Sequence, residues 1–279
     1  MKILIICSIY KPNIGGIEKS VEELCGYYNR NDQSTVILTK RFPFNLPDRS
    51  TFHGTPVFRV NRPKTLSDYA GFRKWLSVNE KFIKSDIIHI IGVRRPMPLV
   101  ALILSKRWHV PVIGTFAGGD LGENRDEEAI KVWNEGIGIN MNSIEQFDYY
   151  TAYSDDLIRD AVSKMPFLED RIERIEMSID FSEIDRARSY DGEVVSFILA
   201  VRRLEQPKGI DILVKSFRDV ANEYRHLDLK IIGCGQEEEN LRELVKKLEL
   251  EDRVEFLGKQ DILTVYSHMK KALIHVCPS

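Results

Sequence analysis

The sequence predicts an α/β protein of two doubly wound, Rossmann-like domains that face a cleft. Three observations support this fold class. Short apolar runs alternate with segments of helical periodicity along almost the whole chain. Many of these runs are continuously hydrophobic, as expected of parallel strands that are covered on both faces. The alternation also occurs in two series, separated by a polar stretch at 181–192, and a repeated βαβ order builds a parallel sheet.

The first series predicts six strands joined in part by helices. The strands are expected at 3–7, 35–39, 56–60, 86–91, 111–115 and 148–153. A helix is predicted between the first two strands, because apolar residues recur at helical spacing from Ile17 to Tyr28. Two further helices are predicted at 66–84 and 98–108. We assign these elements to a first domain, residues 1–185.

The second series predicts a smaller domain, residues 193–279. Its strands are expected at 194–201, 227–232, 254–257 and 272–276. Apolar faces with helical spacing at 210–220 and 241–248 predict the helices that connect the first three strands.

Composition and segment length exclude several classes of protein. The net charge is −2, with 43% hydrophobic and 29% charged residues, so the chain has no general attraction to nucleic acid or anionic lipid. Four cysteines without CxxC spacing favour buried free thiols in a reducing compartment. No apolar run approaches the roughly 18 residues that span a bilayer. We therefore expect a cytoplasmic protein.

The turn after the first predicted strand contains two adjacent glycines. Gly15 and Gly16 end a strand-to-helix loop, where free backbone amides and the helix dipole can bind an anion. The loop lacks the spacing of both the dinucleotide-binding motif and the P-loop. A phosphate-binding loop and a simple tight turn both remain open.

A pair of cations follows the strand that ends near Val201. Arg203, Lys208 and Gly209 lie beyond the carboxyl end of this strand, where ligands bind in open α/β sheets. Arginine can bridge two phosphate oxygens, and lysine adds a point charge, so the pair suits a diphosphate. A solvated pair of surface cations is the alternative.

Three other segments are weaker candidates. Gly118, Gly119 and Asp120 follow a strand and could contact a sugar or an acceptor, although Asp120 could equally cap a helix. Gly233 could approach a nucleotide or belong to a tight turn. The basic residues at both ends of the predicted helix 98–108 could touch an anionic membrane, but a crossover helix with solvated ends is favoured.

Metal and serine-hydrolase chemistry find no support in the sequence. The six histidines form no HxxxH or HExxH pair, and no GxSxG motif is present. We predict that no metal or other cofactor is required.

Taken in order, these segments make the chain resemble glycosyltransferase family 4, a group of retaining sugar transferases with the GT-B fold. The resemblance covers nearly the whole chain. It rests on Pro12-Asn13-Ile14-Gly15-Gly16-Ile17-Glu18, Met177-Ser178-Ile179-Asp180, Arg203-Leu204, Lys208-Gly209, Gly233-Cys234-Gly235, Phe256-Leu257-Gly258 and Cys277-Pro278-Ser279.

The resemblance implies a sugar transferase that uses a nucleotide-diphosphate sugar as its donor and needs no metal. Arg203, Lys208, Gly15 and Gly16 would bind the donor diphosphate, and the two cations would stabilise the departing nucleoside diphosphate. The N-terminal domain would hold a glycan or lipid-linked acceptor. Such a protein would serve polysaccharide biosynthesis in the cytoplasm, at the inner face of the membrane.

Three departures from the family pattern modify this expectation. Ala117 stands where the family often has a histidine, and Arg202 stands where it often has a glycine. The Glu-x7-Glu motif that follows Pro-Ser in the family is not in the sequence. We therefore expect an incomplete second domain, in a fragment or a truncated homologue, whose strand 272–276 exposes an apolar sheet edge.

Two alternative functions remain open from the sequence. A catalytically degenerate GT-B homologue could act as the partner subunit of another transferase. An epimerase-like GT-B enzyme could release a free or epimerised sugar without any acceptor.

Overall fold

The computed structural model describes residues 1–61, 66–94, 96–118, 137–177, 179, 181–187 and 196–278. The chain divides into two compact units, Met1–Ile179 and Asp180–Ser279. Each unit has its own sheet, built almost entirely of parallel strands, and its own buried apolar clusters. The predicted α/β class is confirmed.

The first unit is built around a long sheet. Its strands are β1 (Lys2–Cys7), β2 (Ser34–Lys40), β3 (Arg49–Phe52), β4 (Thr55–Val60), β5 (Ile87–Ile91), β6 (Val112–Phe116), β7 (Tyr149–Ala152) and β8 (Ile172–Arg174). Its helices are α1 (Gly16–Arg30), α2 (Leu66–Ile83), α3 (Met97–Trp108), α4 (Ile137–Ile144) and α5 (Asp155–Lys164). In the described residues the strand order is β3-β4-β2-β1-β5-β6-β7-β8, and β3 pairs antiparallel with β4.

The central strand β1 is buried on both faces, which explains its continuous apolar sequence. Leu4 and Ile6 belong to the cluster that includes α3, whereas Ile3 and Ile5 pack with residues of α1. Helices on both faces of the sheet therefore produce a three-layer unit. The carboxyl ends of β1, β5 and β6 lie along one edge, because these neighbouring strands are parallel.

Helix α3 is the element whose flanking cations could have indicated a membrane contact. Val100, Ala101 and Leu104 are completely buried against the sheet, as the crossover interpretation requires. Among the helices in the described parts of the chain, none is long and apolar enough to cross a bilayer.

The second unit has a smaller parallel sheet with helices between its strands. Its strands are β9 (Phe197–Val201), β10 (Asp228–Ile232), β11 (Val254–Gly258) and β12 (Ile274–His275). Its helices are α6 (Phe181–Arg186), α7 (Ile210–Glu223), α8 (Glu238–Lys247) and α9 (Ile262–Lys271). The order in the described residues is β11-β10-β9-β12. Leu204, Val214, Phe217 and Leu229 lie in its core.

Several elements differ from the sequence prediction. Helix α6 occupies the first half of the predicted linker 181–192, and β3, β8, α4, α5 and α9 were not predicted. Strand β12 has two residues instead of the five expected, because pairing with β9 is confined to Ile274 and His275. Leu273 and Ile274 at this sheet edge are 57% and 52% exposed.

Candidate functional site

The loop that leaves β1 brings Gly15 and Gly16 to the N-terminus of α1. Gly15 is the N-cap, with an extended backbone, and Gly16 is the first helical residue. A Cβ atom added to Gly16 would meet no atom of the described residues within 4 Å. The described part of the chain therefore leaves space beside Gly16 at this helix N-terminus.

Glu18, in the first turn of α1, is a residue that the sequence prediction did not include among the site residues. Its carboxylate lies over Gly15, since an added Cβ there would be 2.6 Å from Oε2 of Glu18. The carboxylate occupies the third helical position, where negative charge is stabilised by the helix dipole. An anion that binds at Gly15 would have to displace this flexible side chain.

The loops after β5 and β6 meet at the same edge of the sheet. Arg94 donates a hydrogen bond from Nη2 to the Gly118 carbonyl, at 3.0 Å. Among the described residues, which leave out 119–136, no atom would lie within 4 Å of a Cβ atom added to Gly118. Gly119 and Asp120 lie outside the described residues, and their contact with a sugar or acceptor stays a prediction.

Ala117, the position where the resemblance leads one to expect histidine, is the first residue after β6. It is 1% exposed. A methyl group cannot donate a hydrogen bond to a sugar hydroxyl, so any polar contact here must come from the backbone or from neighbouring residues.

A row of polar side chains crosses the sheet beside these loops. His89 on β5 has its Nε2 atom 2.7 Å from Oγ1 of Thr115, which lies 2.7 Å from Oγ1 of Thr151 on β7. Burial lowers the pKa of His89 to about 4. In the described part of the chain, its Nδ1 atom is buried without a hydrogen-bond partner. His89 is therefore neutral at physiological pH.

Arg203 and Lys208 lie on either side of a tight turn that follows β9. Lys208 ends the short 3₁₀ turn Gln206–Lys208, and Gly209, with φ of 63°, begins α7. The Lys208 N–H donates to the Glu205 carbonyl at 2.9 Å and so closes the turn. Both cations are thus presented at the carboxyl end of β9, where the sequence prediction places them.

The environments of the two cations differ. Nη1 of Arg203 forms an ion pair with Oε1 of Glu205 at 2.7 Å, with the two side chains 63% and 38% exposed. For Lys208 no side-chain ion pair or hydrogen bond is found within the described residues. The sequence prediction did not include Glu205 among the site residues, although an acidic residue two positions after the arginine is visible in the sequence.

The Gly-Cys-Gly segment after β10 is explained by close packing. Gly233 has φ of 144°, and a Cβ there would lie 1.8 Å from the Arg202 carbonyl oxygen. The Cβ of any residue replacing Gly235 would lie 2.2 Å from the Leu204 carbonyl oxygen. Leu204 in turn donates its N–H to the Cys234 carbonyl at 3.0 Å. The tight-turn interpretation accounts for both glycines, and a nucleotide contact at Gly233 stays a prediction.

The segment after β12 also reaches this edge of the second sheet. A Cβ atom added to Gly209 would lie 3.1 Å from the Pro278 carbonyl oxygen. Burial and the nearby Arg202 charge lower the pKa of His275 on β12. The segment after β12 therefore lies against Gly209, the residue that follows Lys208.

Two family models match consecutive parts of the chain. Glycosyltransferase Family 4 matches residues 14–183, which is more than half of the sequence, and Glycosyl transferases group 1 matches residues 183–279. The chain belongs to glycosyltransferase family 4. The resemblance inferred from the scattered glycine and cation segments is thereby confirmed.

The family 4 chain is similar to the GtfA subunit of the UDP-N-acetylglucosamine–peptide N-acetylglucosaminyltransferase of Streptococcus pneumoniae. The two are 24% identical over 200 residues, which is 70% of this chain and 38% of that protein. The chain spans between 23% and 58% of the length of the four curated relatives it matches.

Solved structures confirm the GT-B fold. Sucrose-phosphate synthase from Thermosynechococcus elongatus superimposes with a TM-score of 0.74 at 17% identity, over 100% of this chain and 76% of that one. The Anabaena protein HepE, solved with UDP and glucose, gives 0.67 at 19% identity, over 99% of this chain and 73% of that one. At such identities the likeness concerns the fold.

Proposed function

We propose that this family 4 chain transfers a sugar, with retention, from a nucleoside-diphosphate sugar to a glycan or lipid-linked acceptor. UDP is the first diphosphate to test, because the pneumococcal relative is named for a UDP-sugar and the HepE structure holds UDP. Polysaccharide biosynthesis at the inner face of the membrane, with peripheral contact to lipid, is the setting we propose.

The observation that carries this proposal is the fixed loop bearing Arg203 and Lys208. Leu204, between the two cations, is fully buried and anchors the loop in the core of the second unit. Its N–H donates to Cys234, and its carbonyl accepts from Glu237 at 3.0 Å. A loop held on both sides can present two cations to a diphosphate without a large ordering cost.

The chemistry that suits this loop is stabilisation of a leaving group. As the bond between sugar and diphosphate breaks, negative charge grows on the diphosphate oxygens. Arg203 can bridge two of these oxygens, and Lys208 supplies a further charge-assisted hydrogen bond. In the first unit, the backbone amides of Gly15 and Gly16 stay predicted contacts of the donor diphosphate, with the Glu18 carboxylate over Gly15 displaced. Gly118 and Asp120 stay predicted contacts of the sugar or acceptor.

Direct binding of UDP tests the two cations. Isothermal titration of UDP into Arg203→Ala and Lys208→Ala should show affinity at least about tenfold weaker than the unsubstituted chain, because each change removes a charge-assisted bond. Arg242→Ala is the matched control, since Arg242 also lies in the second unit, is 52% exposed and pairs with Glu238. Equal UDP affinity in all four proteins would contradict the assignment.

Turnover assays then separate the three functions. A panel of UDP-sugars, with and without acceptors, should give acceptor-dependent UDP release. UDP binding without turnover would favour a partner subunit instead. Release of a free or epimerised sugar in the absence of acceptor would favour the epimerase-like alternative.

A further inference from the structure

Arg202 places a third cation at the end of β9, directly before Arg203. Strand β9 ends at Val201, so Arg202 is the first residue of the loop that carries the two predicted phosphate ligands. Position 202 often has glycine in family 4, whereas this chain has a guanidinium there. The leaving-group chemistry proposed for Arg203 and Lys208 does not use this third charge.

The backbone of Arg202 is fixed by the neighbouring strand β10. The Arg202 N–H donates to the Ile232 carbonyl at 3.0 Å. Its own carbonyl oxygen lies so close to Gly233 that a Cβ added there would be 1.8 Å away. A side chain that starts from a fixed backbone loses less conformational entropy when it binds a ligand.

The side chain of Arg202 lies on the side of β9 where β12 pairs. Arg202 is half-buried, and its Nε atom is buried. Burial, and after it the charge of Arg202, lower the pKa of His275 on β12. The guanidinium is therefore close enough to β12 for its charge to act on that strand.

The other end of the loop reaches the same segment of the chain. The Pro278 carbonyl oxygen lies 3.1 Å from a Cβ added to Gly209, the residue that follows Lys208. The segment that begins at β12 is therefore near both Arg202 and the Lys208 end of the loop. The three cations belong to one short loop of the second unit, and two of them border this segment.

The charge of loop 202–209 matches a diphosphate only when Arg202 is included. The loop contains three cations, Arg202, Arg203 and Lys208, and one carboxylate, Glu205. Glu205 forms an ion pair with Arg203 at 2.7 Å, so one of the two predicted phosphate ligands is neutralised. Arg202 restores the lost charge, and the loop then offers one net positive charge to each phosphate of the donor.

We propose that Arg202 is a third cation for the donor diphosphate and supplies the charge that Glu205 cancels on Arg203. The inference rests on the proposed function and deepens it, because it adds a binding residue to the same site. The alternative is an arginine that serves only to stabilise the loop through its half-buried side chain.

Titration of UDP into the full chain tests this role. Arg202→Gln should bind UDP about five- to tenfold more weakly, because a charge-assisted contact with the diphosphate is lost. Arg202→Lys should keep most of the affinity, since it keeps the charge. Arg242→Gln is the matched control, because Arg242 is 52% exposed in the same unit and pairs with Glu238. It should bind UDP as the unsubstituted chain does.

A second substitution separates charge compensation from a structural role. In the Glu205→Gln background Arg203 is no longer neutralised, so adding Arg202→Gln should weaken UDP binding by only about twofold or less. An arginine that only stabilises the loop would weaken binding equally in both backgrounds and would lower the melting temperature in both. Equal losses of affinity in the two backgrounds therefore overturn the inference.

Three further outcomes also decide the matter. UDP affinity in Arg202→Gln that equals or exceeds that of the unsubstituted chain overturns the inference, as do equal losses in Arg202→Lys and Arg202→Gln. If Arg203→Ala still weakens UDP binding in that case, the proposed function stands and only the role of Arg202 fails. Absence of binding by UDP, GDP and ADP to the unsubstituted chain would contradict the proposed function and overturn the inference with it.

Discussion

The ion pair between Arg203 and Glu205 is a single-residue feature that opposes the expected ligand. Glu205 neutralises the guanidinium in the unliganded protein and adds a negative charge beside the position expected for a diphosphate. An exposed pair of this kind contributes at most about 1 kcal/mol to stability. The larger effect of Glu205 should be on ligand binding, because its negative carboxylate repels a negatively charged diphosphate.

We therefore expect Glu205→Gln to strengthen UDP binding about two- to tenfold with almost no change in the free energy of unfolding. The reason is that Arg203 is freed while the shape of the turn is kept, since Lys208 closes the turn through the Glu205 backbone carbonyl. Titration of UDP at low and at high salt measures the effect, which should shrink as salt rises. Weaker binding in the glutamine variant would show that Glu205 positions Arg203 for the ligand.

His89 links folding to pH through a single buried ring. The tautomer with its proton on Nε2 can donate to Thr115 and leaves only a lone pair unpaired at Nδ1. Burial disfavours the charged ring and lowers its pKa to about 4. Protonation would also create a buried N–H donor at Nδ1 that has no partner in the described residues.

The free energy of unfolding should therefore decrease in mild acid. Between the ordinary histidine pKa of 6.5 and the folded value of about 4, the unfolded chain binds a proton that the folded chain excludes. The stability contributed by neutral His89 is complete above pH 6.5 and is lost as the pH falls towards 4, in total on the order of 3 kcal/mol. Urea unfolding at several pH values in this range measures the free energy of unfolding. Its decrease with falling pH should be smaller in His89→Gln than in the unsubstituted chain. An equal pH dependence in the two proteins would show that His89 is not the titrating group.

At the scale of elements, backbone hydrogen bonds join the residues that follow β9 and β10 to the ends of neighbouring strands. The Arg202 N–H donates to the Ile232 carbonyl, and the Gly233 N–H donates to the Gly258 carbonyl of β11, at 3.0 and 2.9 Å. This packing leaves no space for a side chain at Gly233. The glycines therefore set the position of Arg203 by allowing the loops to approach.

Gly233→Ala should destabilise the second unit by about 3 kcal/mol or more, because the added methyl group meets a carbonyl oxygen and the backbone has positive φ. Gly16→Ala is the contrasting variant, since its Cβ would meet no atom of the described residues, and we expect the free energy of unfolding to change by less than about 0.5 kcal/mol. Denaturant unfolding compares the two. Equal stability of both variants would show that the loops can separate without cost.

The elements that the sequence prediction missed include a strand that depends on its pairing partner and two helices with local capping signals. Strand β3 has the short sequence Arg-Ser-Thr-Phe, which becomes a strand by pairing with β4 at the sheet edge. Helix α5 carried a readable signal, since Ser154 caps it by accepting from the Leu157 N–H at 3.3 Å. Helix α9 has the same kind of signal in Asp261, which accepts from Leu263 and Thr264.

At the scale of the whole molecule, donor binding should be visible as added stability. UDP at a concentration about 100 times its Kd adds about 2.7 kcal/mol to the free energy of unfolding of the unit that binds it. The melting temperature should then rise by a few degrees, and the rise should vanish in Arg203→Ala/Lys208→Ala. Scanning calorimetry with and without UDP measures both.

The same experiment in EDTA tests the prediction that no metal is required. In the described residues no group of three or more potential metal ligands is found. We expect the UDP-induced rise in melting temperature and the turnover to be unchanged in EDTA. Loss of either in EDTA, with recovery on adding magnesium, would contradict the prediction.

The sequence by itself determined the α/β class, the family and the positions of Arg203 and Lys208 at the end of a strand. It could do so because apolar periodicity reports burial, and because strand ends in parallel sheets are where ligands bind. Only the tertiary structure showed that Gly233 is required for packing, that Glu205 pairs with Arg203 and that Asn13 and Arg59 join the loops after β1 and β2. These facts depend on distances between segments that are far apart or face each other across a turn, and periodicity along the chain carries no information about such distances.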